Sequence, residues 1–355
     1  MNNRADDEMQ PQPRVIIHIG LHKTGTRFLM RMVFRQLNMA VFNYNPDTLW
    51  RTVREAVRHP RDPDRAERAR RAVHDWRESG DSRTLVLSEP HISGDMYGGH
   101  QNFLDNLAFL RELFPEATII FFVRNQADWL QSAYRQQLVK DAGRPIEVFL
   151  NWYQGDFRPR VGRWAHGVRN VEALGLRFLD IYRAYAQAYG SENVYLLQQE
   201  DLKERPEAVK HRLAEALGLE ALPPAPRERR QNRSYSALAI SLFYPGVHRR
   251  FKRPPGVDRG RPRRPFRRLT RPFRRLRRTF IQHGFDKVIY KDWDLLQRHG
   301  MRSRLDAHYK NENAELRRIA GIILDQGPGA VTGIMDGNRD GTTGRTPVSN
   351  DNRGD

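Results

Sequence analysis

Val15-Ile16-Ile17-His18-Ile19-Gly20-Leu21-His22-Lys23-Thr24-Gly25-Thr26-Arg27-Phe28-Leu29 carries most of what this 355-residue chain says about its fold. The β-branched run at its start predicts a buried strand over Val15–Gly20. Phe28, Leu29, Met32, Val33 and Leu37 then recur at helical spacing. Lys23 to Arg27 therefore forms the turn between a strand and the N-terminus of a helix. Such a turn aims backbone N–H groups and the positive end of a helix dipole at one place. Anionic groups of the phosphate or sulfate kind bind well there. Lys23 adds a mobile cation, and Thr24 and Thr26 add hydroxyl donors.

The order of these residues differs from Gly-x4-Gly-Lys-Ser/Thr, the loop that holds nucleoside triphosphates. Lys23 precedes Gly25, and no later apolar strand ends in an aspartate suited to magnesium. A second apolar run, Ala117-Thr118-Ile119-Ile120-Phe121-Phe122-Val123, ends in Arg124 instead. Ser132 follows eight residues later, in a stretch of helical character. An arginine at a strand end and a serine two turns along the next helix can converge on one anion. Arginine suits phosphate because its planar fork donates twice.

Strand and helix alternate along the chain, which favours a parallel sheet with helices on both faces. Strands are expected at Val15–Gly20, Ala40–Tyr44, Thr84–Ser88, Thr118–Val123 and Asn193–Leu197. Helices are expected at Arg65–Arg77, Phe103–Phe114, Ala127–Val139, Leu179–Tyr189 and Ala208–Leu217. Residues 1–13 and 325–355 read as disordered termini around a domain spanning 14–324. The chain has no cysteine, which excludes a disulfide framework, a cysteine metal site and a thiol nucleophile. The histidines show no ligand spacing, so no metal is implied.

The Lys23–Thr26 loop and the Arg124/Ser132 pair together resemble the sulfotransferases that use PAPS (3′-phosphoadenosine 5′-phosphosulfate). Val194-Tyr195-Leu196-Leu197, Glu200-Asp201-Leu202, Asn232-Arg233-Ser234 and Ala307–Asn313 are similar to segments of bacterial members. The resemblance spans roughly residues 14 to 320. It implies a three-layer α/β fold of the P-loop NTPase type and PAPS as sulfate donor, with no metal. By that resemblance His22, Lys23, Thr24, Gly25 and Thr26 form the loop for the 5′-phosphosulfate. Arg124 and Ser132 form the 3′-phosphate site, with Arg233 as a further contact. Arg27 stands where a small hydroxyl residue is more typical. It either adds charge against the phosphosulfate or faces solvent.

In an open α/β sheet the site forms beyond the carboxyl ends of the strands. The run Thr84–Ser88 ends in Glu89-Pro90-His91, so both titratable side chains can face that edge. The resembled family often draws its general base from this region. Glu89 and His91 are the two candidates, Glu89 preferred; beside Pro90, either could instead stabilise a turn. His22 is a weaker third. The implied reaction is in-line sulfuryl transfer to a hydroxyl or amine of a carbohydrate, glycolipid or small molecule. Lys23 would steady the leaving oxygen, and fixed donors of this kind commonly supply the largest share of catalysis.

The formal charge is +19, and one segment holds most of it: between Arg249 and Arg278 lie 15 Lys and Arg and a single acid, Asp258. Phe266, Leu269, Phe273, Leu276 and Phe280 step through it by threes and fours, which is one helical face flanked by arginines. A basic amphipathic helix reads as a membrane-surface element, although Pro272 interrupts it. A groove for an acidic glycan and a solvated insertion or partner contact are the other readings. Nucleic acid is supported by charge alone. The polar first fourteen residues and the lack of any ~20-residue apolar run place the expected location in the cytoplasm, with peripheral membrane contact left open. Two other functions compete with sulfuryl transfer. An atypical P-loop kinase would turn over ATP. A basic adaptor would bind lipid or nucleic acid without needing Lys23.

Overall fold

The computed structural model describes residues 13–140, 145–160, 170–226, 235–244, 247, 276–277 and 279–332. Its centre is a five-stranded sheet made of β1 (Val15–His18), β2 (Phe42–Tyr44), β3 (Thr84–Ser88), β4 (Ala117–Val123) and β7 (Val194–Gln198). Their order is β2-β3-β1-β4-β7, and every neighbouring pair is parallel. Two short strands, β5 (Trp152–Tyr153) and β6 (Asp156–Phe157), pair antiparallel apart from it.

Uninterrupted apolar runs explain the central strands. All seven residues of β4 and all four of β1 are buried. Successive strand residues point to opposite faces, so both faces of these strands are covered. Each fully buried Val, Ile, Leu or Phe side chain contributes roughly 1.5–3 kcal/mol. Parallel neighbours need crossovers long enough for helices. These include α1 (Thr26–Phe28), α2 (Asp47–Arg58), α3 (Pro63–Glu78), α4 (Phe103–Leu113) and α5 (Gln126–Lys140). One hydrophobic cluster runs from Val15 to Val331. The expected central parallel sheet with helices around it is the fold found.

Three expectations need correction. β1 stops at His18 because Gly20 turns the chain with φ 25°. The helix after it opens at Thr26, inside the expected turn. It then widens to a π-helix over Leu29–Val33 and tightens to a 3₁₀ turn over Phe34–Gln36. That change of pitch rotates the apolar stripe. Leu29, Val33, Phe34 and Leu37 are buried, while Phe28 is exposed. Finally, the terminal helix runs Arg302–Gln326, and Val331 beyond it is buried. The expected disordered tail from 325 thus starts inside a packed helix, because apolar spacing over Leu316, Ile319, Ala320, Ile323 and Leu324 continues to its end.

Register sets the height of the site. His18 lies level with Ser88 on β3 and Ile120 on β4. β4 continues to Val123, paired with Gln198 of β7. Arg124 therefore stands about 13 Å beyond the level of His18, at ~3.3 Å per residue. Among the described residues, no helix is long and apolar enough to cross a membrane.

Candidate active site

Because the five strands are parallel, their carboxyl ends share one edge. Along it the connecting loops follow strand order: Glu89–His91 after β3, His22–Gly25 after β1, Arg124 after β4 and Gln199–Glu200 after β7. The β1 loop is thus flanked by the Glu89/His91 turn on one side and Arg124 on the other.

The β1 loop is braced from within. Thr24 Oγ1 donates to the Leu21 carbonyl at 2.6 Å and Thr26 Oγ1 to the same oxygen at 3.2 Å. Both threonines are buried. Their hydroxyl protons, expected to face an anion, are turned inward onto that carbonyl. Lys23 adopts a left-handed backbone, φ 70°, and Gly25 another, φ 98°. The strain at Lys23 is of order 1 kcal/mol or more and is held by those two threonine bonds. A Cβ on Gly25 would meet Leu202 Cδ1 at 3.4 Å, in the segment after β7. Arg27 is exposed.

The Glu89 turn is more elaborate than its sequence suggests. Glu89 is only 3% exposed. Its Oε1 accepts from the His91 backbone N–H at 3.1 Å and also pairs with His91 Nδ1. Arg54 Nε approaches Oε2 at 3.5 Å. The Arg54 guanidinium also lies over the Trp50 ring, 5.1 Å from its centre, and Trp50 Nε1 donates to the Ser88 carbonyl at 3.3 Å. The turn-stabilising alternative for Glu89 is therefore real: it caps the 3₁₀ turn Pro90–Ser93. The same carboxylate fixes the imidazole of His91, which is partly open to solvent.

His22 joins the two loops. Its ring stands edge-on to His91, with centres 5.2 Å apart, and 6.2 Å from His100. Trp129 of α5 donates its indole N–H to the His22 carbonyl. His100 is fully buried against Trp129 and Phe178, and burial pulls its pKa down to about 4. It is a neutral wall of the site at ordinary pH.

Arg124 is half-buried at the end of β4, and Ser132 is half-buried in the second turn of α5. Burial lowers the Arg124 pKa, against the pull of Asp128 and Glu200; Arg135 and Arg302 lower it further. It remains a cation at neutral pH, in a place where an arriving anion would offset the lost hydration. Arg233 and the arginine-rich segment, apart from Leu276 and Arg277, lie outside the described residues. Among the described residues no three His, Asp or Glu side chains group to hold a metal ion.

Sequence reasoning missed Arg54, Trp50, His100 and Trp129. The first pair had a signal: Leu49, Val53, Ala56 and Val57 keep helical spacing and set Trp50 and Arg54 one turn apart on α2. His100 and Trp129 had none, since their partners are distant in sequence.

The fold and this edge define the class: a parallel α/β protein with cationic and titratable side chains gathered at the carboxyl ends of its strands. The sequence profile of the sulfotransferase family matches residues 13–224, and the chain belongs to that family. Among solved structures, it is similar to a sulfotransferase from Alicyclobacillus acidocaldarius. The two share 17% identity over 67% of this chain and 93% of that one, with a TM-score of 0.41. It is also similar to the sulfotransferase domain from the curacin biosynthetic pathway, at 15% identity over 63% and 80% of the two chains and a TM-score of 0.33. No curated protein sequence matches the chain.

Proposed function

We propose that this protein transfers a sulfuryl group from PAPS to a hydroxyl or amine of a carbohydrate, glycolipid or small-molecule acceptor. The observation that carries the reading is the loop order along the sheet edge, with Lys23 between Arg124 and the Glu89/His91 pair. In-line transfer needs the leaving nucleotide and the attacking group on opposite sides of the moving group. Anion-holding residues on one side of Lys23 and a proton acceptor on the other suit that requirement.

The residues fit the donor's chemistry. Arg124, a partly desolvated cation, suits the 3′-phosphate, with Ser132 adding a hydroxyl. The His22–Thr26 backbone, held taut by Thr24 and Thr26, suits the 5′-phosphosulfate. Bound PAPS would supply the sulfuryl group and depart as adenosine 3′,5′-bisphosphate. Lys23 would neutralise charge on the departing oxygen. Glu89 and His91 divide the proton work. Glu89 is buried and engaged by His91 and Arg54, so it orients the ring and favours His91 Nδ1 as the protonated nitrogen. His91 Nε2 then takes the acceptor's proton. This reverses the preference for Glu89 that the sequence suggested, because the carboxylate is the covered member of the pair.

Calorimetric titration with adenosine 3′,5′-bisphosphate tests the donor site. Wild type should bind, and Arg124→Ala should bind about 10- to 100-fold more weakly, as expected for one charge-assisted contact of ~1.5–3 kcal/mol. A folded wild type that does not bind overturns the reading.

A further inference from the structure

The proposed donor side of the sheet edge holds a conflict of charge. Arg124, proposed above as the 3′-phosphate contact, is half-buried at the end of β4. Two acids stand close enough to act on its charge, Asp128 and Glu200. Asp128 sits in the first turn of α5, where Asn125 Oδ1 accepts from Ala127 N at 3.0 Å and from Asp128 N at 3.3 Å. A helix start favours a negative side chain, and it favours a bound phosphate for the same reason. Asp128 therefore competes with the anion that Arg124 would hold. A carboxylate closing on Arg124 would offset its charge and repel the phosphate.

Neither acid closes on it: among the described residues Arg124 forms no ion pair with them. Glu200 Oε1 accepts from Asn125 N at 3.5 Å. Asp128 is engaged by Arg302, whose Nη1 donates to its Oδ1 at 2.6 Å, the short length of a charge-assisted bond. Arg302 opens the terminal helix Arg302–Gln326, 174 residues along the chain from Asp128. Two further acids fix it there. Asp294 Oδ2 accepts from Nη1 at 3.1 Å, and Asp306 Oδ2, one turn along the same helix, accepts from Nε at 2.8 Å. Asp294 is itself pinned, because its Oδ1 caps the helix Leu295–Arg298. A cation that only braced the terminal helix would be served by Asp294 and Asp306. The third bond, the shortest, goes to the acid beside Arg124. Side-chain exposure is 22% for Arg302 and 33% for Asp128, so solvent screens the pair only in part.

We infer that Arg302 is a positioning residue for the donor site: by holding Asp128 it keeps the charge of Arg124 available to a 3′-phosphate. The inference rests on the donor site proposed above. It extends that site to the terminal helix, beyond the residues 13–224 that the family profile matches.

The test is calorimetric titration of adenosine 3′,5′-bisphosphate into the full chain, with thermal unfolding of each variant alongside. Arg302→Gln should bind about tenfold more weakly than wild type, the effect of one unit charge released close to the anion in a half-solvated site. Asp128→Asn should bind at least as tightly as wild type. Arg302→Gln combined with Asp128→Asn should regain wild-type affinity yet stay less stable than wild type, because Asp294 and Asp306 still lack their cation. A pair that merely braced the helix would behave differently: breaking it from either end would weaken binding, and affinity would follow stability. Unchanged affinity in Arg302→Gln, weakened affinity in Asp128→Asn, or no rescue in the double variant overturns the inference and leaves the donor reading standing. If Arg302→Gln does not fold, Asp128→Asn alone decides by whether its affinity falls. A folded wild type that does not bind overturns the donor reading, and the inference with it.

Discussion

Glu89 and His91 are two residues apart, yet the structure gives them unequal surroundings. The carboxylate is covered and engaged from two sides, whereas the imidazole retains solvent access. A base must reach its proton, so the exposed ring is the better acceptor. His91→Asn should lower turnover by about 10²–10⁴-fold while leaving adenosine 3′,5′-bisphosphate affinity unchanged. Glu89→Gln in that background should cost little more, because its effect passes through the ring. Steady-state rates of the two single variants and the double variant decide the matter. If Glu89→Gln alone abolishes turnover and His91→Asn barely alters it, Glu89 is the base. The sequence displayed both titratable groups but could not show which one packing would cover. That depended on Arg54, which arrives from α2.

At the scale of elements, α5 links the proposed donor side to the C-terminal part of the chain. Asp128, Gln131 and Arg135 lie at i, i+3 and i+7 on one face. Asp128 pairs with Arg302 at 2.6 Å, Gln131 accepts from Leu295 N, and Arg135 grips Asp292 with two bonds. Arg135 is almost fully buried, whereas Asp292 is about a third exposed, so solvent screens part of the pair. Arg135→Met should cost about 1–3 kcal/mol in urea unfolding. It should also weaken adenosine 3′,5′-bisphosphate binding, since α5 carries Ser132. A variant as stable as wild type, with unchanged affinity, would show that the grip does not position the helix. The helix itself was legible from Ala127–Val139. Its clamp was not, because partners more than 150 residues away leave no local pattern.

For the whole molecule, buried neutral histidines set a pH limit. Burial pulls the His18 pKa down to about 3 and the His100 pKa down to about 4. In the unfolded chain both titrate near 6.5. Below that pH the unfolded state binds more protons than the folded one. Stability is therefore full above about pH 6.5 and falls as pH drops toward 4. Thermal unfolding across that window should show the decline, and His100→Gln, which cannot titrate, should make it shallower. An equal decline in wild type and variant would remove His100 as a contributor.

The sequence by itself determined the sheet, since apolar runs such as Ala117–Val123 can be satisfied only by burial on both faces. It also determined that the candidate residues share one edge, because parallel strands bring their carboxyl ends together and those residues follow the ends directly. Tertiary structure decided what each residue there is able to do. The inward turn of the Thr24 and Thr26 hydroxyls, the covering of Glu89, the histidine wall and the clamp on α5 all arise from contacts between distant segments. Local periodicity records which face of an element is apolar. It holds no record of which neighbour covers that face.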